Sequence, residues 1–530
     1  MAATPATSLT LVSSGLADAR QQPPRGNPDI NQFLKVLHKT TRWSAQWNRI
    51  DFDGSPEFGQ RVSLTIPPLA ELVSGLNIVV TMPDIYATQI AAIVAAGGTD
   101  FTNTGNFLGP TYGWTNSLGH ALIQRIELEI GGAIVETLTS QQLEILDELY
   151  ETVESAITKN AMIQRAPNGF GPRTWLSASP TQVYIPIPFW FSRPGVYSHA
   201  LPIDALRSDK VRIHVTFRPI EQLFYTDARV DTRTVGFRPG QDMAGGMWGI
   251  TGGRFWQADS TQSTMVYSMN ATMSGVQGKI ISGVQFPLRF TPIDAYALIE
   301  YISVEEYEAI VFRSSELTYH VEQHFAVPVQ ASLGQSEVRL VIPFTNPTKE
   351  IHWVLQRPEA EMYNAWFLFT RDLSAVSPPQ NGPVNPCLIP WWPDAQLIPT
   401  RANQWQIVPA FQNAYSEPLA ATTLLYNSFE RFVHEGGSFF RGIVPMTSYV
   451  KSAVHDRYIY AYHFGQKEER RNYGPSGAAN WDKIPRKELF ITLNRGRLNT
   501  APPNMNIYVY TTIWNVFKVF GGRGGMLFSN

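Results

Sequence analysis

The chain has 530 residues, too many for one ordinary hydrophobic core, so two or more domains are expected. Charged residues make up 16%, well under the roughly 25% of a typical soluble protein, while aromatics reach 12% with 14 Trp and 21 Tyr, a balance that suits a surface covered by neighbouring protein. The net charge is −2 and Lys and Arg are scattered, which argues against direct binding of nucleic acid, since that needs a basic stripe to displace counterions from phosphates.

Residues 1 to about 40 are rich in Ala, Ser, Thr, Pro and Gln and are expected to form an arm with little structure of its own. The N-terminus lacks the charged-then-apolar profile of a secretory signal, and no stretch reaches the ~18 apolar residues of a membrane span. A soluble protein made in the cytosol is therefore expected. Cys387, the one cysteine, cannot form an intrachain disulfide. Its apolar, Pro-rich surroundings offer no nearby base, so it is expected as buried filler in a reducing compartment.

Period-two patterning begins at Arg61-Val62-Ser63-Leu64-Thr65-Ile66, as a half-buried strand requires, and Leu76, Ile78, Val80 and Met82 repeat it. Ile126, Leu128 and Ile130 oppose Arg125, Glu127 and Glu129, and Gly131-Gly132 then predicts a hairpin turn into Ala133-Ile134-Val135. Thr139-Ser140-Gln141-Gln142 fits a capping box, and Leu143, Leu146, Leu149, Tyr150 and Val153 form the apolar stripe of a helix. Strand signals resume at 183–191, 211–217 and 295–304, with Pro186 and Pro188 restricting the first of these to an edge or a bulge. Residues 226–288, rich in Gly, Ser and Thr, read as a long inserted loop. A short helix is expected over Glu305–Val311, followed by a strand over Leu317–Phe325.

The pattern then starts again. Gln60–Pro68 leads to Gly75–Pro83, and later Ser336–Phe344 leads to Lys349–Pro358. Pro67 and Pro83 in the first copy correspond to Pro343 and Pro358 in the second, with nearly equal spacing. A strand, Gly-Gly, strand feature also recurs as Thr423–Val433, Gly436-Gly437 and Ser438-Phe439-Phe440. A repeat this long is a domain duplication. Two all-β domains of short strands and long connections point to sandwiches or jelly rolls. The expected division is an arm over 1–40, a first domain over 41–312 containing the insert at about 226–288, and a second over 313–530.

Trp114–Gly132 resembles the signature of the major capsid proteins of nucleocytoplasmic large DNA viruses, the group that includes iridoviruses and phycodnaviruses. Tyr184–Phe191 followed by Ala200–Leu206, Phe344–Trp353, Pro475–Asn480 and the ending Gly521–Asn530 are similar to further motifs of that family, in its order. Two departures stand out: Glu305–Ile310 is more acidic than the equivalent segment, and 226–288 has no counterpart. The resemblance implies an all-β double jelly roll, two tandem eight-stranded sandwiches with short helices and long loops. It also implies a homotrimer of six similar sandwiches, a pseudo-hexagonal capsomer that tiles the icosahedral shell of a large double-stranded DNA virus. Minor capsid and penton proteins would be partners, with the base of the tile facing an internal membrane indirectly. The protein would sit in the virion capsid after synthesis and assembly in the host cytoplasm. The rival readings are a minor or penton-associated paralogue and a carbohydrate-binding jelly-roll protein.

No catalytic, cofactor-binding or metal-binding residue is nominated, and no enzyme activity is expected. His320 and His324 lie in His-Val-Glu-Gln-His, where the Glu is displaced from a zinc-protease pattern and the context is strand-like; on a strand they stand about 13 Å apart. No His-x-His pair of a cupin occurs among the 10 His. The glycines at 245–253 and 521–525 lack the Lys-Ser/Thr ending of a phosphate loop. Asn270-Ala-Thr272 is an N-glycosylation sequon, and Asn270 is the one modification candidate.

Overall fold

A computed structural model describes residues 42–82, 112–165, 182–193, 197–226, 294–362, 366–371, 417–427, 429–453, 457–465, 476–495 and 501–528, with a few short strands elsewhere. Nearly all of the 226–288 insert, Asn270 and the surroundings of Cys387 lie outside the described residues. Met1–Trp43 forms one compact unit, in which Ile30–Asn31 pairs antiparallel with Leu34–Lys35. Ser44–Asn530 forms the other.

Sixteen strands in four sheets form the framework of the large unit, with further short strands beside them. The first eight are β1 (Trp43–Asp51), β2 (Arg61–Thr65), β3 (Leu72–Thr81), β4 (Ile123–Ile130), β5 (Ala133–Thr139), β6 (Gln182–Pro186), β7 (Val211–Phe217) and β8 (Asp294–Val304). The next eight are β9 (Leu317–Ala326), β10 (Glu337–Val341), β11 (Pro347–Gln356), β12 (Leu419–Tyr426), β13 (Phe429–Gly436), β14 (Tyr460–His463), β15 (Lys487–Leu493) and β16 (Asn506–Phe520). Strands β1–β8 form two sheets, in the orders β1-β8-β3-β6 and β2-β7-β4-β5. Strands β9–β16 form two more, β9-β16-β11-β14 and β10-β15-β12-β13, the former extended by the short strands Gln330–Ala331, Ala479–Asn480 and Arg523–Met526. Adding eight to every label of the first pair gives the second pair. The interleaving of early and late strands in each sheet is that of an eight-stranded jelly roll, so the chain is two jelly rolls in tandem.

The period-two residues supply both cores. Val62, Leu64, Ile126, Leu128, Ile213 and Val215 face Ile78, Val80, Val183, Ile185, Ala297 and Ile299 in the first sandwich, all buried. Val338, Leu340, Leu489 and Ile491 join Ile351, Trp353, Ile507 and Val509 in the second. The proline-spaced repeat read from sequence is β2–β3 and its counterpart β10–β11. Pro186 ends β6, which lies at a sheet edge as expected, but the strand stops there instead of running to Phe191.

Three local expectations change. Gly131 and Gly132, with φ of +62° and +88°, do turn β4 into β5. In the second sandwich, however, the matching turn is at Asn427 (φ +58°), where Tyr426 pairs with Phe429. Asn tolerates the left-handed region, and its Oδ1 accepts the Arg486 N–H at 3.2 Å. Gly436 instead ends β13, and Phe439–Ile443 winds into a π-helical turn where a strand was expected. Gly437 serves close packing, since a Cβ there would lie 2.5 Å from Glu417 Oε1. After the short helix α1 (Leu118–Leu122), the second change concerns helix α2 (Ser140–Tyr150), capped by Thr139, which stops before Val153. Thr152 caps a new helix, α3 (Val153–Met162), and Val153 is left exposed, off the apolar stripe. Third, the helix expected over Glu305–Val311 runs as α4 (Glu306–Ser314), between β8 and β9.

Candidate functional site at the seam between the sandwiches

Helix α2 follows the edge strand β5 and carries Glu144, Asp147 and Glu148, with Glu151 just past its end. Spacings of three and four residues put all four carboxylates on one face. Glu144 is fully buried and accepts from Ser117 Oγ at 3.0 Å, His120 Nδ1 at 2.6 Å and Arg165 Nη2 at 2.6 Å, and also from Arg457 Nη1. Asp147 meets Arg165 and, at 2.5 Å, Lys159 Nζ; Glu151 lies 3.4 Å from the same lysine. Glu148 lies 3.6 Å from both Arg457 and Lys451. Lys159 and Arg165 come from α3 and the turn after it. Arg457 and Lys451 come from the second sandwich, between β13 and β14, so the acidic stripe is neutralised from both sides of the seam. Burial works to raise the Glu144 carboxyl, but Arg165 and Arg457 outweigh it and hold the group well below the usual carboxylate range. Burial likewise opposes ionisation of Asp147, and Lys159 and Arg165 win there too.

A second charged cluster lies where β5 meets β9. Glu322 on β9 is held by Lys349 and Arg193, each at 2.6 Å, one cation from each sandwich. Glu350 on β11 accepts from the Tyr150 hydroxyl of α2 and lies 3.5 Å from His352 Nε2, which is 3.1 Å from the Tyr449 hydroxyl. His324 is buried: Arg193 approaches its Nε2 at 3.4 Å, so Nδ1 carries the proton and donates to Thr512 Oγ1 at 3.1 Å. Burial and the neighbouring Arg193 push this imidazole down to about 3. Glu136 on β5, buried with neither carboxylate oxygen hydrogen-bonded, sits 3.9 Å from His324 Nε2. Burial pushes its carboxyl up to about 8 against the pull of Arg193, a shift that favours the protonated form. The two histidines noted in the sequence thus part ways on one strand, since His320 is exposed and His324 is part of the seam.

Backbone and aromatic contacts extend the seam. Gln323 Nε2 donates to the Val135 carbonyl at 2.8 Å, and the Lys451 N–H donates to the Leu149 carbonyl at 3.2 Å. Trp366 Nε1 donates to the Gln222 carbonyl at 2.8 Å while the Arg218 guanidinium stacks 3.6 Å from the same indole ring. The glycine-rich end turns tightly at Gly521 and Gly522. Its strand docks on the first sandwich: the Ser208 N–H donates to the Gly522 carbonyl at 2.9 Å and the Gly524 N–H to Asp209 Oδ2 at 3.0 Å. Trp190 packs on Phe517 with ring centroids 5.6 Å apart.

Physically this arrangement does one thing. Buried ion pairs add little net stability relative to apolar packing, but removing one partner is costly, so a shift of one half along the other would leave buried charges uncompensated. A cavity of ≈ 70 Å³ beside the stripe, lined in part by His120, Asp147, Tyr150, Lys159 and Arg193, has room for only a few waters. Among the described residues no group of three or more His, Cys, Asp or Glu is placed to hold a metal ion. The seam was not nominated from sequence. The i, i+3, i+4, i+7 run of acids from Glu144 to Glu151 was a readable signal of a charged partner, but Arg165, Arg193, Lys349 and Arg457 converge on the seam only through the fold.

Known proteins share this fold. A family model described as major capsid protein N-terminus matches residues 32–241, and one described as large eukaryotic DNA virus major capsid protein matches 308–525. The major capsid protein of Chrysochromulina ericina virus is 22% identical, covering 95% of this chain and 97% of that protein. That of Paramecium bursaria Chlorella virus 1 is 22% identical, covering 95% and 96%. Among solved structures, a chain of the PBCV-1 virus capsid superposes with a TM-score of 0.64 at 16% identity, covering 94% of this chain and 100% of that one. The Faustovirus major capsid protein superposes with a TM-score of 0.61 at 9% identity, covering 97% of each.

Proposed function

Because the chain belongs to the major capsid protein family of large eukaryotic DNA viruses, we propose that it works by assembly alone, as a homotrimeric tile of an icosahedral shell. Its structural role in the virion capsid follows from the family. The trimer, six sandwiches in a pseudo-hexagonal ring, is supported by one observation above the rest: two sandwiches of identical strand order are locked at one fixed seam. One chain then fills two near-equivalent positions of a six-fold tile while its loops differ between them.

In this reading the chain is not an enzyme. Minor capsid and penton proteins contact the tile, an internal membrane lies beneath it, and nucleic acid is not touched directly. Synthesis and assembly take place in the host cytoplasm. The chain divides into an arm over 1–40 and two sandwich domains meeting near residue 312. The even scatter of positive charge supports the absence of direct genome contact. Light scattering on a sizing column tests the proposal. A stable mass of three chains is expected, and a persistent single-chain mass at high concentration would overturn it.

A further inference from the structure

The outward face of the sheet β2-β7-β4-β5 carries three linked polar side chains that the seam does not use. Ser63 on β2, His214 on β7 and Glu129 on β4 lie on three neighbouring strands. His214 Nε2 stands 2.7 Å from Glu129 Oε2, and Ser63 Oγ stands 2.8 Å from His214 Nδ1. A carboxylate only accepts, so Nε2 carries the proton, Nδ1 is left as the acceptor, and the Ser63 hydroxyl donates to it. Arg212 Nη1 lies 3.5 Å from the other Glu129 oxygen. The imidazole is buried, while Ser63 is half-buried. An acid orients a base and the base holds a hydroxyl, which is the order of parts in an activated nucleophile.

The backbone supplies a further part. The Ile66 N–H donates to the Val211 carbonyl and the Phe217 N–H to the Gln60 carbonyl, so the even-numbered residues of β2 turn their backbone groups toward β7. Ser63 is out of phase with them. Its carbonyl accepts from the Asp53 N–H at 2.9 Å, and its own N–H points the same way, toward the edge of the sheet. Opposed residues of this kind bring their side chains close, which is how Oγ reaches Nδ1. The nucleophile's own N–H is also one of the donors that stabilise an oxyanion in acyl transfer. The second sandwich shows that the fold does not require these residues. Its matching positions, by register, are Arg339 on β10, Phe490 on β15 and Leu425 on β12. There the Arg339 guanidinium lies 5.7 Å from the Phe490 ring instead.

We propose that Ser63 is an activated nucleophile that accepts an acyl group from a thioester or an activated ester, with His214 as its base and Glu129 positioning that base. Ser63 Oγ attacks the carbonyl carbon and passes its proton to His214 Nδ1, and Glu129 stabilises the imidazolium. The bond from the carbon to the leaving sulfur or oxygen then breaks, and the proton moves to that atom. The products are a Ser63 ester and a free thiol or alcohol. One acyl group enters per chain, so the step modifies a structural protein, and it does not depend on how many chains form the tile.

The test is reaction of the purified full chain with an alkyl fluorophosphonate, read residue by residue with peptide mass spectrometry. Fluoride leaves phosphorus as the thiol or alcohol would leave carbon, and the adduct stays in place. Ser336, exposed just ahead of β10, is the internal reference. Ser63 is expected to label about 100-fold faster than Ser336, the contribution of a positioned general base. That comparison needs no variant. Ser63→Ala should remove the label, and His214→Gln should slow it by a similar factor, with circular dichroism showing that the β fold is kept. Glu129→Gln should slow it as well, and Glu129→Asp, which keeps the charge, should retain more of the rate. Labelling of Ser63 no faster than that of Ser336 would overturn the proposal. So would an unchanged rate in a folded His214→Gln chain, and the three residues would then be a hydrogen-bonded ladder and nothing more.

Discussion

Glu144 shows what a single side chain does in this molecule. It is buried with three cationic or potentially cationic groups around it, of which Arg165 and His120 belong to its own sandwich and Arg457 to the other. Arg457→Met keeps an unbranched apolar stem but removes the cross-seam charge. A loss of about 3 kcal/mol in denaturant unfolding is expected, because Glu144 remains buried with less compensation. Adding Glu144→Gln should restore part of that loss, and fully additive effects would show that the pair is not coupled. Glu136 behaves in the opposite sense. Its carboxyl is ordinary in the unfolded chain, near 4.5, and rises to about 8 in the fold. Between those values the unfolded chain gives up the proton and the folded chain keeps it, so this group's contribution to stability falls as pH rises and levels off above about 8. Glu136→Gln cannot titrate. Its melting temperature should therefore gain on the wild type steadily from pH 5 to pH 8, and a constant difference across that window would contradict the assignment.

At the scale of elements, the strands were legible and their punctuation was partly so. Alternation in β2, β4 and β8 reports a sandwich with one wet face, and the paired prolines exposed the duplication because β2–β3 and β10–β11 occupy the same places in their sheets. The second hairpin was misplaced because Gly-Gly is the louder turn signal, whereas the chain uses Asn427 for the positive φ and Gly437 for a close approach to Glu417. Val153 fits the α2 period by count alone; the capping hydroxyl of Thr152 at that point starts α3 instead. The C-terminal glycines also have an element-level reason. A Cβ on Gly524 would lie 2.6 Å from Leu206 and 2.8 Å from the Phe517 ring. Gly524→Ala is expected to cost about 1–3 kcal/mol through overpacking where the last hairpin meets the first sandwich, measured by thermal or denaturant unfolding. An unchanged stability would mean that the tail docks more loosely than the structure shows.

For the whole molecule, two jelly rolls with one strand order and an ion-paired seam form a body whose halves cannot slide past each other. The fold class could be read from the sequence because it rests on local periodicity and a duplication. The seam could not, since its charges are spread from Glu136 to Arg457 and become neighbours only when both sandwiches are formed. Low charge and abundant aromatics pointed to covered surfaces, and Trp47 on β1, Phe429 on β13, Tyr307 on α4 and Phe520 at the end of β16 are among the large apolar groups that a single chain leaves exposed. The most direct measurement is the copy number of this chain in purified virus particles that carry it, by quantitative mass spectrometry. A shell built from it predicts that it is the most abundant protein by mass, in multiples of three per repeating unit. A trace copy number, confined to the vertices or below the shell, would contradict the role of principal tile.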